Sequence, residues 1–165
     1  GVGAFGACMD ALRSTGLEEP TLDAVASRRP FLGICVGMQM LFTSSQEHVD
    51  ARGLDVIPGE VRWIPRTGDL KIPQMQWNRL DIVTDVDGAT DPMLQDLGDE
   101  PWLYFVHSLH GVPDDASMVA ATVRYGITVN AAFRRDNVFA AQFHPEKSSR
   151  PGLALLTNFV RECAA

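Results

Sequence analysis

A cysteine lies between two glycines in Gly33-Ile34-Cys35-Val36-Gly37. The apolar run 31–34 predicts a buried strand, and residues 37–42 predict a helix. A G-x-C-x-G sequence between a strand and a helix is typical of a nucleophile elbow, whose sharp turn needs small residues on both sides of the nucleophile. Because a helix N-terminus favours a thiolate, we expect Cys35 to be a nucleophile with a pKa below the usual value of about 8.5. The alternative is a buried structural cysteine.

A histidine and a glutamate follow a predicted strand much later, in Gln142-Phe143-His144-Pro145-Glu146. Residues i and i+2 of an extended segment project to the same side, so His144 and Glu146 can face one site. A histidine oriented by a carboxylate is the acid and base that a thiol nucleophile needs. If the sheet brings the two segments to one edge, they form a Cys35–His144–Glu146 triad. Taken singly, the two residues also fit a surface histidine and a solvated carboxylate.

Two further histidines, His107 and His110, are rival bases. Neither has an acidic residue two positions later, so we interpret residues 104–110 as a loop with a backbone or binding role. Trp63 and Trp102 are expected to be core or partly buried aromatic residues.

The composition limits the protein class. A chain of 165 residues with 45% apolar and 21% charged residues is typical of one soluble globular domain. A net charge of −7 argues against nucleic-acid binding. No apolar run approaches the roughly 18–20 residues that span a bilayer. Three cysteines at irregular spacing favour a reducing cytoplasm over a disulfide framework, and their spacing indicates no metal site.

The remaining pattern mixes helices and strands. Helices are predicted over 7–13, over 21–27 with Thr21 as N-cap, and over 153–160. Strands are predicted over 60–64, 80–83, 102–106, 118–125, 127–133 and 138–143. Residues 43–58 are expected to be irregular, and 71–78 a loop because of Pro73. These elements predict a three-layer α/β domain whose second half is rich in antiparallel strands.

The segments GICVGMQ, YFVHS and FHPEKS, in this order, resemble class I (triad-type) glutamine amidotransferases. GVGAFG, KIPQMQWN and QFHPEKS narrow the resemblance to the glutaminase subunits of imidazole glycerol phosphate synthase, an enzyme of histidine biosynthesis. The resemblance covers essentially the whole chain. It implies a flavodoxin-like three-layer fold with a mixed central sheet. It also implies that Cys35 is the nucleophile, His144 the acid and base, and Glu146 the orienting carboxylate.

The same resemblance implies the substrate contacts. The substrate would be glutamine, hydrolysed to glutamate and ammonia without a metal or organic cofactor. Gln39 matches a position that contacts the bound glutamine, and Glu47 one that holds its α-amino group. Ser108 and Leu109 match a loop whose backbone contacts the substrate.

The resemblance also implies oxyanion donors and a partner. The backbone N–H groups of Val2 and Val36 match the oxyanion donors. The partner would be a (β/α)₈-barrel cyclase that receives the ammonia, so the complex would combine hydrolase and lyase activity in a heterodimer. The positions that match its interface are Met75, Trp77, Asn78 and Lys147.

The chain departs from the family at two places. Leu109-His110 follows Ser108 where an aromatic residue is usual, which affects side-chain contacts in that loop. The strand, helix and strand that precede the glycine-rich opening in the family are missing from the sequence. We therefore expect residues 1–165 to be one N-terminally incomplete domain with apolar sheet edges left unpaired.

Three alternatives are open. The chain could be the glutaminase subunit of pyridoxal phosphate synthase or of anthranilate synthase, although those should lack KIPQMQWN. It could be a non-catalytic interaction subunit that keeps the elbow for packing. A stand-alone hydrolase of other amides or esters is disfavoured because Gln39 and Glu47 fit an amino-acid substrate.

Overall fold

The computed structural model describes residues 3–165, which contain helices α1–α4 and strands β1–β10. The elements are α1 (Phe5–Ser14), α2 (Glu18–Ala26), β1 (Phe31–Ile34), α3 (Val36–Met40), β2 (Phe42–Ser45), β3 (Ile57–Trp63), β4 (Gln74–Arg79), β5 (Asp81–Ile82), β6 (Trp102–His107), β7 (Leu109–Pro113), β8 (Val119–Tyr125), β9 (Ile127–Arg135), β10 (Val138–Ala141) and α4 (Ser149–Ala164). None of the described helices is long and apolar enough to cross a membrane.

A five-stranded mixed sheet forms the centre, in the order β1-β10-β9-β8-β5. β1 and β10 are parallel, and the other neighbours are antiparallel. The register aligns Ile34, the last residue of β1, with Ala141, the last residue of β10. The segments that follow these two strands therefore leave the sheet side by side.

Both faces of the central sheet are covered. In β10, Phe139 and Ala141 belong to one buried cluster together with Leu155 of α4. The alternate residues Val138 and Ala140 belong to a second cluster together with Met38 of α3. Because successive side chains of a strand point to opposite faces, a strand that is apolar on both faces must lie between two layers. This is the three-layer arrangement expected from the sequence.

Two smaller sheets complete the layers. β2, β3 and β7 form a three-stranded sheet, and β4 pairs with β6 in an antiparallel two-stranded ribbon. Directly opposed residues share a face of such a ribbon, so Met75 and Val106 lie on the same face as Trp77 and Tyr104. On the other face Phe105 and His107 are fully or almost fully buried, whereas Gln76, opposite Phe105, is exposed.

The structure corrects several local predictions in the first half of the chain. Thr21 is not an N-cap: α2 begins at Glu18, and the Thr21 hydroxyl donates to Leu17 O within the helix. The reason is that Pro20 lies in the first turn, where the missing N–H removes no helical hydrogen bond. Residues 43–58, predicted to be irregular, contribute to β2 and to the start of β3.

A larger correction concerns residues 71–78, predicted as a loop. Residues 74–79 form β4, and Pro73 stands immediately before the strand, where its missing N–H interrupts no ladder hydrogen bond. The segment after His107 is likewise predicted as a loop, but β7 begins at Leu109. Helix α4 also extends well beyond the predicted residues 153–160.

A charged cluster fastens α4 to the rest of the domain. The Arg134 guanidinium donates to both oxygens of Asp91, at 2.6 and 2.7 Å, and at 2.7 Å to Glu162 of α4. It also lies 5.3 Å from the centre of the Phe139 ring. Burial alone would lower the pKa of Arg134. The hydrogen bonds to the two carboxylates raise the pKa by more than this, so the net pKa is raised and the group stays charged. Arg134 thus joins β9, the loop before β6 and the C-terminal helix.

Replacing Arg134 with methionine should lower the free energy of unfolding by about 2–3 kcal/mol, because two mostly buried carboxylates lose their counter-charge. The measurement is urea denaturation followed by circular dichroism. Arg79→Met is the matched control, since Arg79 pairs with Asp81 and Glu100 in an exposed setting. That control should change stability by less than about 1 kcal/mol. Equal effects of the two substitutions would contradict the structural role of Arg134.

Candidate active site

Cys35 occupies a strained turn between β1 and α3. Its φ of 54° and ψ of −118° lie in a region that residues other than glycine rarely adopt. Its N–H donates to Ala141 O of β10 at 2.8 Å, and its carbonyl accepts from Gln39 N at 3.1 Å. These hydrogen bonds hold the residue in the geometry of a nucleophile elbow, at the carboxyl end of β1.

The segment after β10 places the predicted acid and base. The His144 ring is almost fully buried, and its Nδ1 lies 2.7 Å from Glu146 Oε1. A carboxylate only accepts, so Nδ1 carries the proton and Nε2 is left with a free lone pair. Nε2 is buried and has no hydrogen-bond partner among residues 3–165, so the described chain shows no hydrogen bond between it and the Cys35 thiol. In its neutral form the ring is the tautomer with its lone pair at Nε2.

Hydrogen bonds to the backbone fix this histidine. His144 N donates to Tyr104 O of β6 at 3.0 Å, and its carbonyl accepts from the Ser148 hydroxyl. Ser148 also accepts from Tyr104 N at 2.9 Å, so the histidine segment is joined to the ribbon on both sides. Glu146 is half-exposed; burial raises its pKa, but the hydrogen bond to His144 and other favourable contacts outweigh this, and the net pKa is lowered. The carboxylate is ionised when it orients the ring.

A cavity of about 310 Å³ opens beside Cys35. Its walls include six of the predicted site residues: Cys35, Val36, Gln39, Glu47, Ser108 and Leu109. Val2, the other predicted oxyanion donor, lies outside the described residues. The lining also includes Trp63, predicted as a core or partly buried residue, whose side chain is about half exposed. Its indole N–H donates to Gln46 O, next to Glu47, a contact that no local pattern predicts.

Glu47 and Gln39 are both held in place. Glu47 Oε2 accepts from Phe5 N at 2.6 Å, which fixes the carboxylate at the first turn of α1. Gln39 is buried, and its Nε2 donates to Gln142 Oε1 at 3.0 Å. The carboxylate of Glu47 gives this wall of the cavity a negative charge, and Gln39 adds a polar amide.

The Cys35 thiol does not have the lowered pKa that the elbow predicts. Burial is the largest effect and raises the pKa, and the negative charge of Glu146 raises it as well. A hydrogen bond from Val36 N–H and the positive charge of Lys147 lower the pKa. The net direction is upward. Helix α3 has only five residues, so the few aligned peptide groups at its N-terminus do not offset the loss of water around the sulfur. The thiol is therefore protonated at neutral pH.

The rival histidines are neutral. Burial lowers the pKa of His107 and that of His110, each to about 4. His107 Nδ1 donates to Leu109 O at 2.6 Å, and Nε2 lies 3.0 Å from Gln74 Oε1. A neutral ring cannot donate from both nitrogens, so the Gln74 amide must turn to present its NH₂, which otherwise has no partner among the described residues. His107 therefore holds the backbone at Leu109, which lines the cavity.

The residues assigned to a partner interface fall into two groups. Met75, Trp77 and Lys147 are exposed. The Asn78 side chain is half-buried, and its amide donates at 3.0 Å to Arg124 O of β8.

Trp102, at the start of β6, is about half exposed, as Trp63 is. Across residues 3–165 no three His, Cys, Asp or Glu side chains are grouped so that they could hold a metal ion.

Comparison with known proteins gives the family. The sequence model of the family glutamine amidotransferase class-I matches residues 2–163. Imidazole glycerol phosphate synthase subunit HisH of Syntrophotalea carbinolica is 51% identical, with 96% of this chain and 77% of that protein covered. The protein of the same name from Synechococcus elongatus is 47% identical and covers 100% of this chain, which spans 74% of that relative.

Solved structures agree on the fold. A protein described as glutamine amidotransferase superposes with a TM-score of 0.70 at 18% identity, over 99% of this chain and 76% of the other. A glutamine amidotransferase from Thermotoga maritima gives a TM-score of 0.60 at 18% identity, over 99% of this chain and 60% of the other. At these identities the likeness concerns the fold alone, and it confirms the fold class expected from the sequence.

The two elbow glycines make a matched pair for mutation. A Cβ on Gly33 would lie 2.8 Å from Leu41 Cδ1 and 3.2 Å from Met38 Cα, whereas a Cβ on Gly37 would meet no described atom within 4 Å apart from its own helix. Gly33→Ala should therefore lower the free energy of unfolding by about 1–3 kcal/mol. Gly37→Ala should leave it unchanged or raise it by up to about 1 kcal/mol, since alanine favours the helix. Urea denaturation compares them, and a neutral Gly33→Ala would contradict the close approach.

Proposed function

The chain belongs to the glutamine amidotransferase class-I family, and we propose that it hydrolyses glutamine to glutamate and ammonia as the glutaminase subunit of an imidazole glycerol phosphate synthase. The observation that carries the proposal is the strained Cys35, which opens into a cavity that Gln39 and Glu47 line. The family match and the relatives at about half identity support the same activity.

The first half of the reaction forms a thioester. His144 Nε2 takes the proton of the Cys35 thiol, and the sulfur attacks the side-chain carboxamide carbon of glutamine. The Val36 N–H, and in this proposal the Val2 N–H, stabilise the oxyanion, each by about 3–4 kcal/mol. His144 then gives its proton to the departing nitrogen. The C–N bond breaks, and ammonia leaves the acyl-enzyme.

The second half releases glutamate. His144 takes a proton from water as the water oxygen attacks the thioester carbon, and then returns that proton to the sulfur as the C–S bond breaks. Glu146 holds the ring tautomer through both halves and stabilises the imidazolium. All proton transfers use a thiol, an imidazole and water, so the proposed reaction needs no metal or organic cofactor.

The cavity walls supply the substrate contacts. The Glu47 carboxylate offers a negative charge for the α-ammonium group of glutamine, and Gln39 offers a neutral amide. The backbone at Ser108 and Leu109 would contact the rest of the substrate. His107 supports this segment, because its Nδ1–H donates to the Leu109 carbonyl. A cavity of about 310 Å³ suits an amino acid.

We further propose that the partner is a (β/α)₈-barrel cyclase in a heterodimer, which consumes the ammonia. The relatives are named as synthase subunits, which supports an assembly. The exposed Met75 and Trp77 would meet the partner, with Lys147 at the rim and Asn78 supporting the ribbon from the other side. Cys8, Cys35 and Cys163 are all unpaired thiols, which supports a cytoplasmic location.

Cys35→Ala should lower glutamine hydrolysis in the assembled complex by about 10⁴-fold or more, because no other group can form the acyl-enzyme. The measurement is glutamate release. Synthesis by the partner with added ammonium salt should be unaffected. Cys163→Ala removes an exposed thiol and is the control, which should keep full activity. Glutamine turnover that survives Cys35→Ala would instead favour a non-catalytic role for the elbow.

Trp77→Ala tests the docking face. A half-exposed tryptophan at the centre of an interface is a typical hot spot, so we expect a dissociation constant about 30-fold higher, or about 2 kcal/mol of binding free energy lost. Isothermal titration calorimetry with the cyclase measures it. Val160→Ala, an exposed apolar position on α4, is the control and should not change binding. Equal effects of the two substitutions would argue against this face.

A further inference from the structure

Gln142 is a fully buried polar residue that the triad does not include. It follows directly after β10, and its N–H donates to Ala131 O of β9 at 2.9 Å. The side chain is buried next to the elbow and does not reach solvent. There it lies between two side chains, Gln39 of α3 and Cys35.

The Gln142 side chain has two contacts, one at each end of its amide. Gln39 Nε2 donates to Gln142 Oε1 at 3.0 Å. Gln142 Nε2 lies 3.9 Å from Cys35 Sγ. Since an amide accepts only at oxygen and donates only at nitrogen, a Gln142 oxygen that accepts from Gln39 leaves the NH₂ group facing the sulfur. If both amides turned together, the Gln142 oxygen would face the sulfur, and it would repel a thiolate there.

We propose that Gln142 is a catalytic residue whose amide N–H donates to the Cys35 sulfur as the thiolate forms, and that Gln39 is the positioning residue that aims this amide. The inference rests on the proposed function, in which Cys35 is the nucleophile. At 3.9 Å the contact is long for a neutral thiol, and a charged acceptor shortens and strengthens such a bond. Catalytic hydrogen bonds commonly tighten in this way when the reaction begins.

The surroundings of the sulfur explain why a neutral donor matters there. Burial raises the pKa of the Cys35 thiol, and the charge of Glu146 raises it further. The Val36 N–H and Lys147 act in the opposite direction. The Gln142 amide adds a donor without a net charge, so it stabilises the thiolate without repelling the imidazolium that His144 becomes.

The test measures the reactivity of the thiol itself, in the full chain and without glutamine. Iodoacetamide alkylation is followed from pH 6 to pH 10, and mass spectrometry resolves the peptides of Cys35 and of exposed Cys163, which serves as the internal reference. Gln142→Leu should lower the Cys35 rate at neutral pH by about tenfold and move its pH profile upward, as expected for the loss of one hydrogen bond to a charged acceptor. Cys163 should react as before.

A second pair of variants keeps the proposal falsifiable. Gln142→Met has an unbranched side chain of similar length without an N–H. The alkylation rate of Cys35 in this variant should match the rate in Gln142→Leu. This comparison separates the loss of the donor from a change of shape. Gln39→Leu should lower the alkylation rate less than Gln142→Leu does. The double variant Gln39→Leu/Gln142→Leu should lower the rate no more than Gln142→Leu alone, because Gln39 acts on the sulfur through Gln142. In glutamine turnover, Gln142→Leu should lower kcat with KM little changed.

Two results would overturn the inference. One is an unchanged pH profile in a Gln142→Met protein whose thermal unfolding matches the parent. The other is additive losses of alkylation rate in the double variant, which would mean that Gln39 acts independently of Gln142. Either outcome leaves the proposed function standing as long as Cys35→Ala abolishes glutamine hydrolysis. Survival of hydrolysis in Cys35→Ala would instead remove the premise.

Discussion

The parallel pairing of β1 with β10 is the constraint on which the site depends. It ends with the hydrogen bond from Cys35 N to Ala141 O, so the two strands stop at the same level of the sheet. The chain then turns into a helix after β1 and into the histidine segment after β10. Residues more than a hundred positions apart in sequence thereby meet at one edge, as is general for ligand sites in α/β sheets. The strain at Cys35 is sustained because this ladder fixes the residue before the turn begins.

Burial has opposite consequences for the sulfur and for the imidazole. It keeps the Cys35 thiol protonated, since a thiolate loses more hydration than a thiol. It also leaves His144 Nε2 without a partner in the described chain, while Nδ1 is committed to Glu146. In the mechanism proposed above, this nitrogen is the acceptor of the thiol proton.

The sequence predicts those features whose cause is local. Small residues around a cysteine between an apolar strand and a helix indicate the elbow, and the i, i+2 spacing places His144 beside Glu146. The family resemblance, which is confirmed, adds the fold. Features that depend on strand pairing or on burial are not predicted from the local sequence. Pro73 leads to the prediction of a loop where β4 forms, and the elbow pattern gives the wrong direction for the pKa of Cys35. No local pattern predicts the contact of Gln142 with the sulfur, because the two residues follow strands that are far apart in sequence.

The two faces of the β4–β6 ribbon lie in different surroundings. The outer face exposes Met75 and Trp77. The inner face buries Gln74 against His107, and His107 in turn holds the carbonyl of Leu109 at the cavity. Side chains of a strand alternate between faces, so the exposed Met75 is next to the buried Gln74. The ribbon is therefore linked to the wall of the cavity through one buried imidazole, which is neutral and held at both ring nitrogens.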